Sequence, residues 1–239
     1  NYSDSLRSAN YNIVYSIDSV EAPVLLPFGA LCADGDMPQA SERGDFLPRA
    51  VDLAIKSLDA RGEGFFLMVE GSQIDYQGHG NNTEGVVDEV LDFDRAIKVA
   101  LDFAKRDGNT LVVITADHET GGMTIMDGSY ADSTVVAQFN TGGHTGTMVP
   151  IYSYGPQSAK FTGIMENIDI PTRIKTYLGL KLCGCIQYIK KHRYNVEAFF
   201  ILWVRNFRAI DRCRRRWRSH SFGRIHRELG VGNQRRDAY

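Results

Sequence analysis

The chain has 239 residues, 43% of them hydrophobic and 23% charged, so it can bury a sizeable core, and wholesale disorder is excluded. No apolar run approaches the roughly 18 residues that are needed to span a bilayer. The net charge of −2 at pH 7 is an average over two unlike segments.

The first segment is acidic and the second is basic. Residues 1–180 carry 12 basic and 25 acidic side chains, a net charge of −13, whereas residues 181–239 carry 15 and 4, a net charge of +11. Three of the four cysteines also lie in the second segment. A change of this size predicts a boundary near Leu180, with a domain over 1–180 and a basic tail over 181–239.

The first predicted elements in chain order are a strand and a helix. The short apolar run Val24–Phe28 predicts a strand, and residues 33–45 are rich in turn-forming residues. Apolar residues then recur with helical spacing from Phe46 to Ala60, and Gly62 and Gly64 follow that run. This pattern predicts a helix over 46–60.

The centre of the chain predicts a strand–helix–strand unit. Residues 65–69 and 110–116 are continuous apolar runs, typical of strands that are buried on both faces. A helical pattern over 86–104 joins them, and Gly108 stands where a helix ends. A crossover of this length predicts a parallel pair. Residues 149–154 are a further strand candidate.

Ionisable side chains follow both central strands. Glu70, Asp75 and His79 come after the first strand, and Asp117 and His118 come after the second. In a parallel α/β sheet the carboxyl ends of the strands meet at one edge, where ligands bind. We therefore expect these five side chains to lie at one place.

The types of side chain at this edge suit divalent metals. Imidazole and carboxylate bind zinc well, whereas sites made of oxygen ligands alone suit magnesium. Asp75 and His79 are four residues apart, which is about one turn of a helix. A third ligand is available from His144, within the glycine-rich stretch 141–146. Three protein ligands and an open position are typical of a catalytic zinc.

Each residue also has a structural interpretation. A single histidine is more often a hydrogen-bonded structural residue than a ligand, and Asp117 and Glu119 can serve as helix N-caps. Asp75 and the pair 81–82 can form turns, as can the glycines 142–143. All of these interpretations would have to hold together, however. With Glu119, the two strand ends carry six ionisable groups. Six such groups in one crevice are electrostatically unfavourable without a cation, which favours a metal site.

Several segments resemble the alkaline phosphatase family, in the family's order and over roughly residues 24–180. They are FFLMVEGSQID at 65–75 with His79 after it, TADHETGGM at 115–123, GGHTG at 142–146, YGP at 154–156 and DMPQASER at 36–43. The resemblance implies a three-layer α/β/α sandwich, truncated here at its N-terminal side. It also implies a hydrolase that cleaves phosphate monoesters through a phosphoryl-enzyme intermediate, with two Zn²⁺ ions and one Mg²⁺ ion.

The resemblance also assigns the metal ligands. It implies that the first zinc is bound by Asp75, His79 and His144, the second zinc by Asp117 and His118, and magnesium by Glu70.

No catalytic nucleophile is recognised in the chain. The family places its nucleophile, a shared metal-binding aspartate and a phosphate-binding arginine upstream of the matching region. Asp4-Ser5 and Asp18-Ser19 lack a preceding apolar strand, and we interpret Ser72 as structural. We therefore expect the nucleophile upstream of Asn1, an incomplete second zinc site of weak affinity, and a chain that is inactive alone.

The basic tail has two interpretations. Clustered arginines at 214–218 and an apolar block at 199–204 suit a patch that binds nucleic acid or an anionic membrane. Alternatively, the tail is non-native sequence, such as an out-of-frame extension. The abrupt change in charge and cysteine content favours the second interpretation, so we do not expect the tail to bind nucleic acid or membrane.

Two other functions stay open at this point. One is a related metal-dependent hydrolase of phosphodiesters or sulfates, and the other is a non-enzymatic protein that binds anions through the tail. For the intact protein, the resemblance implies phosphate monoesters and inorganic phosphate as ligands, a homodimer, and a periplasmic or secreted location.

Overall fold

The computed structural model describes residues 2–178 and, as backbone alone, residues 199–204. The helices in these ranges are α1 (Tyr2–Ser8), α2 (Ala40–Arg43), α3 (Phe46–Asp59), α4 (Gln73–His79), α5 (Thr83–Asp107) and α6 (Asp169–Tyr177), with a 3₁₀ turn at Ser158–Phe161. The strands are β1 (Asn12–Val14), β2 (Phe28–Ala30), β3 (Phe65–Glu70), β4 (Thr110–Thr115), β5 (Glu119–Thr120), β6 (Thr124–Ser129), β7 (Thr134–Gln138), β8 (His144–Thr145), β9 (Ile151–Tyr154) and β10 (Phe199–Val204). Of the helices described, none combines the length and apolar character that crossing a membrane requires.

The main sheet has the strand order β3-β10-β4-β9. Strands β3 and β4 both pair antiparallel with β10, so they run parallel to each other, as predicted from the crossover between them. The prediction that they form a pair is wrong, because β10 lies between them. The apolar pattern of residues 199–204 has no local feature that specifies this position. The remaining residues of the segment 181–239, including its arginine cluster, lie outside the described residues.

Helices cover both faces of β4, which gives three layers. Val112 points to the face that packs against α3 and α5, in a core that includes Val51 and Ala100. Leu111 and Val113, its neighbours in the strand, pack on the opposite face in a core that contains Ile174 of α6. Side chains alternate between the faces of a strand, so the continuous apolar run of β4 fits its burial on both sides. The fold is therefore α/β, as predicted.

Strand β3 differs from its prediction. Phe65 and Val69 are buried against α3 and α5, but Phe66 and Met68, on the other face, are each 49% exposed. The prediction that β3 is buried on both faces is therefore wrong for the described residues. The apolar core on that face of the sheet is built by β4 and α6 and does not include β3.

The two long helices lie where they were predicted, but the predicted strand at 24–28 does not form. Helices α3 and α5 occupy the predicted positions, and α5 ends at Gly108, whose φ of 70° is left-handed. The predicted strand 24–28 is wrong, since the strand in this region is β2. Pro23 precedes the predicted run and Pro27 lies within it, and proline lacks the N–H that a strand ladder uses. The turn-rich stretch 33–45 contains the short helix α2.

We expect Gly155→Ala to destabilise the protein. Gly155 has a φ of +95°, and a Cβ there would overlap the carbonyl oxygen of Thr110 in β4. Strain of this kind lowers the free energy of unfolding by about 1–3 kcal/mol or more. Gly35→Ala is the matched control, because a Cβ at Gly35 meets no atom within 4 Å. Equal urea midpoints for the two variants would contradict this packing.

Candidate metal centre

Asp75 and His79 lie on one face of α4, as their spacing predicts. Asp75 is 5% exposed, and its Oδ2 lies 3.2 Å from Nε2 of His79. The Nδ1 atom of His79 lies 2.6 Å from the carbonyl oxygen of Gly142. A carbonyl oxygen can only accept, so Nδ1 carries the proton and a neutral His79 presents an unprotonated Nε2 to Asp75.

His144 reaches this pair through a small antiparallel ladder. Strands β5 and β8 pair with Thr120 opposite His144, and Gly121 donates its N–H to the carbonyl oxygen of Gly143 over 2.9 Å. As a result, Nε2 of His144 lies 3.1 Å from Nε2 of His79 and 3.6 Å from Oδ1 of Asp75. Residues that are 69 positions apart in the sequence thus meet at one point.

The ligand atoms of Asp75, His79 and His144 all lie within 4.8 Å of one another. One carboxylate oxygen and two imidazole nitrogens are a donor set that suits zinc. The carboxylate is buried while both histidines are about 40% exposed, which leaves a path for an ion to enter. The lone pairs that face one another here need a cation or a proton between them, so the residues fit a divalent metal.

Asp117 and His118 lie beside this cluster at the end of β4. The His118 ring stacks on the His144 ring with 3.6 Å between centroids, and Nε2 of His118 lies 3.4 Å from Oδ2 of Asp117. Within the part of the chain that the structure describes, Oδ1 of Asp117 and Nε2 of His118 are buried polar atoms without a hydrogen-bond partner. Buried polar groups are normally satisfied, so this pair also fits a metal.

Burial raises the pKa of Asp117, an effect that nearby His118 opposes and Asp75 reinforces. A cation held between these groups would favour the charged carboxylate instead.

Glu70 lines the same cavity as the three-residue cluster. This cavity has a volume of about 470 Å³ and is polar. Its lining residues are Asp36, Glu70, Ser72, Asp75, Tyr76, His79 and His144. Four of these were predicted to be metal ligands. Asp36 was not, because it stands in a turn-rich stretch and the resemblance of residues 36–43 assigned no ligand there.

Two residues of β5 were missed or given another role. The N-cap interpretation of Glu119 is wrong, because its carboxylate accepts the backbone N–H groups of Gly122 and Met123 and the hydroxyl of Thr145, and no helix begins there. Thr120 was not singled out, yet its hydroxyl contacts both Asp75 and His118. No signal in a single sequence marks that threonine. Asn82 was weighed as a turn former, and its observed structural role is to cap α5, where its side chain accepts the N–H of Gly85.

Comparison with known proteins places the chain in a family. The family model described as alkaline phosphatase matches residues 16–140, and the chain belongs to the alkaline phosphatase family. It is 34% identical to "Alkaline phosphatase 3" of Bacillus subtilis over 60% of this chain and 47% of that protein. It is 37% identical to the alkaline phosphatase of Escherichia coli K12 over 60% of this chain and 34% of that protein.

The solved structures agree with the sequence relatives. The alkaline phosphatase of the Antarctic bacterium TAB5 matches with a TM-score of 0.66 and 41% identity, over 74% of this chain and 54% of that one. A mutant of that enzyme, solved with Mg bound in its M3 site, matches with a TM-score of 0.66 and 40% identity. The chain spans about half the length of these structures, and half or less of the relatives above.

Proposed function

We propose that this chain is the metal-binding part of a phosphomonoesterase of the alkaline phosphatase type. In this proposal Asp75, His79 and His144 bind the first zinc, Asp117 and His118 contribute to the second, and Glu70 binds magnesium. The observation that carries the proposal is the cluster formed by Asp75, His79 and His144, whose ligand atoms lie within 4.8 Å of one another. Its substrates are phosphate monoesters and its product is inorganic phosphate.

Two metal positions side by side suit phosphoryl transfer. When bound, two zinc ions supply positive charge to the oxygens of a phosphate and lower the pKa of a coordinated nucleophile. The chain's own residues orient that chemistry: Gly142 fixes the ring of His79 through Nδ1, and stacking holds His118 against His144. The polar cavity beside them has room for a phosphate group. In this proposal the intact protein forms a phosphoryl-enzyme intermediate. It acts as a homodimer in the periplasm or outside the cell.

Substrate comparison tests the reaction class. We expect the full-length protein to hydrolyse p-nitrophenyl phosphate faster than bis-p-nitrophenyl phosphate or p-nitrophenyl sulfate, because the phosphate monoester is a dianion whereas the diester and the sulfate are monoanions, and the cations bind the larger charge better. Faster turnover of the diester or of the sulfate would refute the monoesterase proposal and would favour the related hydrolases.

We expect the 239-residue chain alone to bind zinc but to release p-nitrophenol near the rate of buffer with the same zinc. The reason is that no catalytic nucleophile is recognised in the chain. Ser72 lines the cavity, but we interpret it as structural. The test measures the purified chain and Ser72→Ala side by side. Robust turnover by the chain that is lost in the variant would show that Ser72 is the nucleophile.

A further inference from the structure

The hydroxyl of Thr120 lies between the two groups of metal ligands. Its Oγ1 donates to Oδ1 of Asp75, in the first group, and lies 3.2 Å from Nδ1 of His118, in the second. Thr120 also stands opposite His144 in the ladder between β5 and β8. Thr120 therefore contacts a ligand from each group by hydrogen bonding.

The direction of these two hydrogen bonds follows from the single proton of the Thr120 hydroxyl. A threonine hydroxyl has one proton to donate and two lone pairs that accept. A carboxylate only accepts, so the proton of Thr120 goes to Asp75. The contact with His118 must then run the other way, with Nδ1–H of His118 as the donor. This assigns the proton of a neutral His118 to Nδ1 and leaves Nε2 unprotonated.

A second observation agrees with this assignment independently. Nε2 of His118 is buried and has no hydrogen-bond partner among the described residues, and it lies 3.4 Å from Oδ2 of Asp117. An N–H at that position, so close to a carboxylate oxygen, would be expected to form a hydrogen bond. An unprotonated nitrogen beside a carboxylate is the arrangement that binds a metal.

The backbone fixes Thr120 in this position. Helix α4 approaches β5 so closely that a Cβ on Gly78 would lie 3.1 Å from the Cβ and from the carbonyl oxygen of Thr120. Gly121, with a φ of +89°, lets the chain turn immediately afterwards, and a Cβ there would lie 2.9 Å from the carbonyl oxygen of Gly78. The hydroxyl of Thr120 is therefore held beside Asp75 by packing as well as by hydrogen bonding.

We propose that Thr120 is a positioning residue that prepares both metal sites at once. Its O–H orients the carboxylate of Asp75 through Oδ1, and its lone pair holds His118 in the tautomer whose Nε2 faces the second site. The metals themselves are those of the proposed function, on which this inference rests. Partners that orient a ligand in this way typically change metal affinity by about 10–100-fold.

Two variants and one spectroscopic measurement test this proposal on the full chain. Thr120→Val keeps the shape but removes the hydroxyl, and Thr120→Ser keeps the hydroxyl. In competition with a chromophoric chelator, we expect Thr120→Val to bind zinc about 10–100-fold more weakly and Thr120→Ser to bind like the wild type. Equal losses in both variants, or no loss in Thr120→Val, would overturn the proposal.

The tautomer is measured without any metal, by long-range ¹H–¹⁵N spectra of histidine-labelled protein at about pH 8, where an ordinary imidazole is neutral. His118→Gln assigns the signals. We expect the Nδ1–H form in the wild type and a mixture in Thr120→Val, whereas an Nε2–H form in the wild type would overturn the proposal. If the wild type bound no zinc, the proposed function would fail, but the tautomer would still decide the role of Thr120.

Discussion

Asp75→Asn lowers the zinc affinity of the full chain by about 100-fold or more. The substitution keeps the size of the side chain but removes its negative charge, and Asp75 is the carboxylate of the three-residue cluster. Loss of a residue that merely supports a ligand reduces affinity about 10–100-fold, so loss of a ligand's charge should exceed that range. Competition with a chromophoric chelator measures the change, and circular dichroism checks the fold.

The matched control for this variant is Asp88→Asn. Asp88 is an exposed aspartate on helix α5 and does not line the metal cavity. The two variants change the net charge equally, so a general electrostatic effect would lower zinc affinity in both. Wild-type affinity in Asp75→Asn would show that zinc is bound elsewhere.

Arg43→Met should lower the free energy of unfolding by about 3–5 kcal/mol. The Nη2 atom of Arg43 lies 2.6 Å from both Oε2 of Glu89 and Oδ2 of Asp92, and these three side chains are 6%, 1% and 0% exposed. Removal of the arginine leaves two buried carboxylates. Among the described residues, Asp92 then keeps the exposed Arg95 as a partner, and Glu89 keeps the backbone N–H of Ala40. Urea unfolding with a two-state fit measures the loss.

Two further variants of the chain serve as controls for this prediction. Lys56→Met breaks the exposed ion pair with Asp52 on α3 and should change stability by about 0.5 kcal/mol or less. Combining Arg43→Met with Glu89→Gln and Asp92→Asn removes the buried charges as well, so it should recover part of the lost stability. A loss in Arg43→Met no larger than that in Lys56→Met would contradict the role of this network in fixing α2 to α5.

The local parts of the site were predictable because helical spacing is a local property. Asp75 and His79 are four residues apart, and a single turn of α4 brings their ligand atoms to 3.2 Å. The apolar runs of β3 and β4 similarly predicted where those strands lie and that they run parallel. Their ends then indicated the edge at which Glu70, Asp75 and His118 emerge.

The non-local parts were not predictable from the residues alone. His144 joins the cluster through the pairing of two-residue strands, and nothing in residues 119–120 or 144–145 specifies that pairing in advance. The position of β10 between β3 and β4 likewise depends on a long-range ladder. Thr120 acts through one hydroxyl, whose role exists only when Asp75 and His118 are already in place. The residues offered His144 only as a possible ligand and the resemblance to a family assigned it to the first zinc, but neither pointed to Thr120.

The central claim is that Asp75, His79 and His144 hold one zinc ion. Anomalous diffraction at the zinc edge, from crystals of the zinc-loaded full chain, tests it most directly. We expect a peak about 2.0–2.2 Å from a carboxylate oxygen of Asp75 and from Nε2 of both histidines. Zinc bound at other residues, or well-ordered crystals without a peak at this cluster, would contradict the claim.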